Sequence, residues 1–121
     1  MTVQSYRDLR IWQLAMDMAE SCYVLTRAFP KDELYGLVSQ IRRAATSIAA
    51  NIAEGHGRET TGNFIQFLRV AQGSLKELET HLLISARLGF AEEKRCKALL
   101  ANAEELGKMI RAMIRNLQEK S

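Results

Sequence analysis

The sequence has a single proline, seven glycines and two cysteines in 121 residues, and no apolar run approaches the roughly 20 residues that cross a bilayer. Each scarcity excludes something. So few chain breakers leave room for long, uninterrupted helices. Two cysteines, Cys22 and Cys96, each inside a helix-period pattern, are too few for the disulfide framework of a small secreted domain, and a reduced, cytoplasmic protein is expected. The opening Met1-Thr2-Val3-Gln4-Ser5-Tyr6 lacks the charged-then-apolar layout of a signal segment. No membrane partner is expected.

What is present fits one domain, residues 1–121, with a single core that needs no metal or disulfide. Apolar residues make up 47% and charged residues 26%, ordinary for a globular chain. The net charge of +3 lies wholly in the second half: residues 1–61 hold 7 basic and 7 acidic side chains, residues 62–121 hold 10 and 7. That surplus permits a polyanionic partner without requiring one.

Apolar spacing predicts four helices, at about 8–28, 37–54, 62–88 and 92–120. Ser5 or Asp8 is positioned to cap the first, and Phe29-Pro30 closes it. Pro30 to Gly36 reads as a connector with room for one short helical turn. The second ends at Gly55, and the threonines of Gly55-His56-Gly57-Arg58-Glu59-Thr60-Thr61 can cap the third, which stops at Gly89-Phe90. The third carries Phe64, Leu68, Ala71, Leu75, Leu78 and Leu82 at alternating spacings of four and three. The fourth does the same with Cys96, Leu99, Ala103, Leu106, Ile110, Met113 and Leu117. Connections this short oblige successive helices to reverse direction, so the expected fold class is all-α, an antiparallel up-and-down four-helix bundle. Gly73, in mid-helix, is expected to serve close packing against the small residues Ala44, Ala45, Ser47, Ala49, Ala50 and Ala53 of helix two.

Helix one is apolar on two sides. Leu9, Trp12, Met16, Ala19, Tyr23 and Thr26 suffice for a core stripe, yet Ile11, Leu14, Met18, Cys22 and Leu25 continue around the cylinder, and Ile65, Leu83 and Ile84 lie outside the seam of helix three. Burying four or five such side chains at about 1.5–3 kcal/mol each competes with an association cost of about 4–15 kcal/mol. A homo-oligomer follows, with Ile11, Leu14, Met18, Leu25, Ile65, Leu83 and Ile84 at its interface.

Catalytic constellations do not assemble. Di-iron bundles use Glu-x-x-His pairs, but Glu77 and His81 are four apart, Glu79 and His81 two apart, and His56 falls in a turn. Gly57-Arg-Glu-Thr-Thr-Gly62 has phosphate-loop glycine spacing but continues Asn63-Phe64 in place of Lys-Ser/Thr, with no strand before it. Cys22 and Cys96 read as packed thiols, and Glu54, Glu77 and Glu79 as carboxylates in structural pairs with Arg42 or Arg43. No enzyme, metal, cofactor or small-molecule substrate is expected.

A binding role has better support. Arg69, Lys76 and Arg87 lie 7 and 18 residues apart, within about 20° of one helix face, forming a stripe without acids. Lys97, Lys108, Arg111 and Arg115 on helix four form a rival stripe interrupted by Glu104. Repeated around an oligomer, three charges become a band that grips RNA or DNA phosphates without reading sequence, and Arg58 beside the start of helix three can add an anion contact. The alternative is a protein-interaction scaffold with no nucleic-acid role.

The stretches Ser39-Gln-Ile-Arg-Arg-Ala-Ala-Thr-Ser-Ile48, Ala50-Asn-Ile-Ala-Glu-Gly-His-Gly-Arg58, Phe64-Ile-Gln-Phe-Leu68 and Gly73-Ser-Leu-Lys-Glu-Leu-Glu79 resemble a known family, as do Tyr6-Arg-Asp-Leu-Arg-Ile-Trp12, Phe29-Pro30 and Tyr35-Gly-Leu37. It comprises bacterial four-helix-bundle proteins encoded in intervening sequences of large-subunit ribosomal RNA genes, related to the accessory variability protein of diversity-generating retroelements. The resemblance covers residues 6 to about 90. It implies a barrel-like homopentamer with basic surfaces and a non-catalytic, nucleic-acid-binding role. Glu59-Thr-Thr-Gly-Asn63 departs from the pattern by lacking the lysines that often follow the Gly-Arg turn, which shifts the expected grip to the helix-three stripe.

Overall fold

A computed structural model describes residues 5–120. Met1–Gln4, read above for the missing signal layout, and Ser121 lie outside the described residues. The fold is all-α: α1 (Arg10–Thr26), α2 (Ser39–His56), α3 (Thr61–Arg87) and α4 (Glu93–Lys120), with no strand among the described residues. Each helix packs mainly on its neighbours in sequence, α4 closes on α1, and the α2–α3 contact is the most extensive.

Local chemistry sets the boundaries. Ser5 caps a single 3-10 turn, Tyr6–Asp8, by accepting the Arg7 N–H at 3.2 Å, so the regular helix starts only at Arg10. The connector winds through a 3-10 turn, Lys31–Glu33, and a π-helical turn, Leu34–Val38, where Glu33 accepts the Leu37 N–H at 3.1 Å. Thr60 caps α3 by accepting the Asn63 N–H at 3.1 Å. At its other end Gly89 takes φ +75, Gly89 N–H bonds the Ala86 carbonyl and Phe90 N–H the Ser85 carbonyl, a Schellman closure that glycine makes accessible. Phe90 then packs on Phe29, ring centroids 6.1 Å apart, tying the α3–α4 turn to the end of α1. The end of α1 is held by Arg42, which donates from Nε to the Thr26 hydroxyl at 2.9 Å and from Nη2 to the Tyr23 carbonyl at 3.4 Å, and stacks over the Tyr23 ring.

The core draws Ile41, Ala44, Ala45, Ile48, Ala49 and Ile52 from α2 against Leu68, Ala71, Leu75, Leu78 and Leu82 from α3. In α4 the seam holds from Cys96 to Ile110, but Ile114 is then buried and Met113 and Leu117 are only half-buried. A straight helix drifts off a seven-residue repeat, which accounts for that shift by one position.

Two glycines behave differently from expectation. Gly55 does not end α2; it lies within it, buried, where a Cβ would fall 2.5 Å from Phe67 Cβ and 3.1 Å from Phe64 Cδ1. This is the close helix approach that the sequence reading assigned to Gly73. A Cβ on Gly73 would meet nothing within 4 Å, so packing inside the protomer does not offset its helix-propensity cost of about 1 kcal/mol.

Cys22 and Cys96 are both buried free thiols. Burial, and then the neighbouring Cys96, push the Cys22 thiol from 9.0 up to about 12, and burial raises Cys96 as well. Neither is thereby activated as a thiolate nucleophile at neutral pH.

Two outcomes are expected. Gly55→Ala should lower stability by about 1–3 kcal/mol through overpacking, read from the urea midpoint; an unchanged midpoint would show that α2 and α3 can move apart at Phe67 without loss. Because the folded Cys22 holds its proton more tightly than the unfolded chain, its contribution is intact below pH 9.0 and is lost as pH rises toward about 12. The stability gap between the wild type and Cys22→Ala should therefore narrow above pH 9.0 in urea melts taken at stepped pH.

Candidate nucleic-acid interface

Packing of α3 on α4 through Leu75, Leu78, Leu106 and Ile110 leaves a trough along the outside of their seam. One part of it, about 270 Å³, is lined by Arg69, Gln72, Arg111, Ile114, Arg115 and Gln118. The next, about 280 Å³, is lined by Gln72, Gly73, Leu75, Lys76, Gly107 and Arg111. Gln72 and Arg111 belong to both, so the two parts adjoin. The floor is apolar, from Leu75 and Ile114, and the rim is cationic.

Of the four residues expected to contact nucleic acid, the structure brings Arg69 and Lys76 together in this trough. Arg87 stands on the same helix, eleven residues beyond Lys76, or about 16 Å further along. Arg58 is elsewhere: it pairs with Glu54 at 2.8 Å and lies over the Phe67 ring at 5.0 Å, which occupies the guanidinium expected at the start of α3. The stripe is also not free of acids, because Glu79 reaches Lys76 Nζ at 3.0 Å. On α4, Lys97 pairs with Glu93 and Lys108 with Glu104. Arg69, Arg87, Arg111 and Arg115 form no ion pair among the described residues. Three of these four unpaired guanidiniums meet in the trough.

Arg111 and Arg115 were assigned by sequence to a separate stripe, and Gln72 to none. The signal that joins them is register: Arg69 and Arg111 lie 21 residues on either side of Phe90, and Gly73 and Gly107 lie 17 residues on either side. Positions equidistant from a tight turn between packed helices face one another.

The carboxylates are committed to structural pairs. Arg43 Nη2 binds Glu77 Oε2, and His81 Nε2 stands 3.5 Å from the same oxygen. Glu54 pairs with Arg58, not with Arg42 or Arg43. Small polar groups fill the α2–α3 seam, with Ser47 and Ser74 hydroxyls 2.9 Å apart and Asn51 donating to the Ser47 carbonyl at 2.8 Å.

The expected oligomer surface needs correction. Ile11, Met18 and Leu25 are 2%, 4% and 3% exposed and belong to the protomer's own core; Leu14 and Ile65 are half-buried against it, while Leu83 and Ile84 are exposed. Of the α1 stripe expected to face the core, Leu9, Ala19 and Thr26 are buried, but Trp12, Met16 and Tyr23 lie toward the margin, and most of the second stripe takes their place inside. Compact Ala15, Ala19 and Cys22 allow close approach on the inner side, whereas Trp12 and Tyr23 carry polar tips that favour the margin. On α1, Met16 at 45% and Tyr23 at 40% are exposed, as is Val24. With Trp12 and the alanines Ala49, Ala50 and Ala53, Met16 and Tyr23 line an apolar groove of about 440 Å³ between α1 and α2.

The model of a family described as 23S rRNA-intervening sequence protein matches residues 7–112. Among solved structures, the chain is similar to a protein of unknown function from the S23 ribosomal protein family of Bacteroides thetaiotaomicron VPI-5482. The two share 22% identity over 87% of this chain and 95% of that one, with a TM-score of 0.80. At this identity the likeness is one of fold. No curated protein matches.

Proposed function

The chain belongs to the 23S rRNA-intervening sequence protein family, and from that premise we propose that it is a non-catalytic, homo-oligomeric protein of the cytoplasm that binds the backbone of RNA or DNA through basic helix faces. The observation that carries this reading is the meeting of Arg69, Arg111 and Arg115 in one trough without a carboxylate partner. Cations left unpaired by the fold are available to neutralise phosphates and release their counterions, the main source of sequence-independent affinity. Arg87 and Lys76 extend the surface along α3.

The protomer is read as an antiparallel up-and-down bundle. Arg43 meets Glu77, Ser47 meets Ser74 and Gly55 meets Phe67, so position numbers rise along α2 as they fall along α3. Its association buries the α1–α2 groove at Trp12, Met16 and Tyr23, together with exposed apolar residues of α3 such as Leu83 and Ile84. The kinship with retroelement accessory variability proteins implied by the sequence resemblance supports a pentameric ring. Symmetry then repeats the trough around the assembly.

Two measurements test this. Anisotropy titrations with a labelled RNA hairpin should show affinity falling by a slope of about 0.9 in log K per log salt for each phosphate neutralised. Reversing Arg69, Lys76 and Arg87 to Glu should weaken binding without changing the mass seen by light scattering. Undetectable or salt-insensitive binding would end the nucleic-acid reading. Separately, Met16→Glu with Tyr23→Glu should reduce the oligomer to protomers on size exclusion; a wild-type chain that is monomeric at micromolar concentration would remove the oligomer.

A further inference from the structure

We infer that the α3–α4 trough seats one strand of a phosphodiester backbone and that Gly73 marks its point of closest approach. The inference rests on the nucleic-acid reading above and deepens it by naming where, and how closely, the strand lies.

The starting observation is a glycine that the protomer does not use. Gly73 sits in the middle of the 27-residue helix α3 with its surface exposed. Its backbone is not left-handed, since Gly89 alone takes positive φ among the described residues. No neighbour lies within 4 Å of the Cβ it lacks. Neither turn geometry nor internal packing therefore accounts for a residue that weakens the helix. An external contact does: without a side chain, bare helix backbone is open to anything lying in the trough.

The surroundings specify the occupant. Gly73 stands beside Gln72, Lys76 and Arg111, with Gly107 facing it from α4 and Leu75 beneath. Arg69 and Arg115 continue the cationic rim on one side. From Arg69 to Lys76 the trough runs seven residues, about 10 Å. An apolar floor between cationic walls matches the profile of a sugar–phosphate strand, whose carbon-rich sugar edge can lie inward while phosphates turn to the rim. A second copy of this chain fits poorly, because it would bury guanidiniums that have no partner. The lining residues include no aromatic ring for bases to stack on, so recognition rests on the backbone and is independent of sequence.

The test compares the full-length protein with Gly73→Ala, Arg111→Gln and, as a control, Gly62→Ala. Gly62 is an exposed glycine near the start of α3, also with nothing within 4 Å of a Cβ, but outside the trough. Each is titrated with a labelled RNA strand at several salt concentrations, melted, and sized by light scattering. Gly73→Ala should melt higher, keep its subunit number and its salt slope, and bind at least about fivefold more weakly, because a methyl group intrudes where the strand lies. Arg111→Gln should reduce the salt slope by about 0.7–0.9 through loss of one phosphate contact. Gly62→Ala should bind like the wild type.

Unchanged affinity in Gly73→Ala overturns the inference, as does an unchanged salt slope in Arg111→Gln, while binding by the wild type leaves the broader reading standing. Weaker binding by Gly62→Ala to the same degree also overturns it, since helix stiffening would then be the cause. So does a change of subunit number in Gly73→Ala, which would place another copy of the chain against that glycine. Absence of any RNA binding by the wild type defeats the nucleic-acid reading itself, and the inference falls with it.

Discussion

The approach of α2 to α3 is the constraint on which the remaining geometry depends. Alanines at 44, 45 and 49 and glycine at 55 alternate with Ile41, Ile48 and Ile52 on the facing surface of α2, so the leucine row of α3 can be buried between the isoleucines and Phe67 can approach Gly55 closely. Dispersion contacts fall off steeply with separation, and a gap of one methyl group along this seam would forfeit a substantial part of them. Polar groups in the same seam are small as well, with Ser47, Ser74 and Asn51 satisfying one another over short distances. Once α3 is fixed on its inner side by α2, its opposite flank has a fixed position for α4, and the trough is the consequence.

Charge follows from the same placement. Five Lys/Arg–carboxylate ion pairs are seen among the described residues, and four of them are between groups three or four positions apart on one helix, worth about 0.3–0.5 kcal/mol each in water. They decide which cations remain available. Lys97, Lys108 and Arg58 each have a carboxylate one helical turn earlier, whereas Arg69 has Ile65 at that position, Arg111 has Gly107 and Arg115 has Arg111. Arg69 and Arg111 have no acid three or four positions away on their own helices, and α4 presents Arg111 to an α3 flank made of Gln72 and Gly73, while Arg115 forms no ion pair among the described residues although Glu119 lies four positions on. Three of the guanidiniums left without an ion pair among the described residues therefore share one region.

Much of the fold was legible because periodicity and punctuation agreed. The leucine row of α3 survived as read, and Gly89 ended that helix where the apolar pattern broke. The connector at 30–38 was not legible in detail, since π and 3-10 turns leave no distinctive spacing. Helix one was misjudged for a physical reason: two apolar stripes of similar hydrophobicity compete, and residue size decides between them, a property that hydrophobic periodicity does not register. The basic site was half legible. Arg69 and Lys76 could be placed on one face from their spacing alone, but Arg111 joins them only through inter-helix register, whereas the Lys76–Glu79 pair is an i,i+3 neighbour contact that the spacing already allowed.

Gly55 and Gly73 show why a glycine inside a helix cannot be interpreted from sequence alone. Gly55 stands in the last turn of α2 and Gly73 in the middle of α3, the two helices with the most extensive contact in the bundle. At Gly55 the missing Cβ is filled at once by Phe67, so the loss of helix propensity is repaid within the protomer by packing. At Gly73 nothing fills it, and the space it opens belongs to a groove whose walls carry unpaired cations. On the proposed reading, a residue that relinquishes stability without an internal return serves a contact made outside the protomer, and its position between Arg111 and Lys76 gives that contact a cationic rim suited to a polyanionic strand.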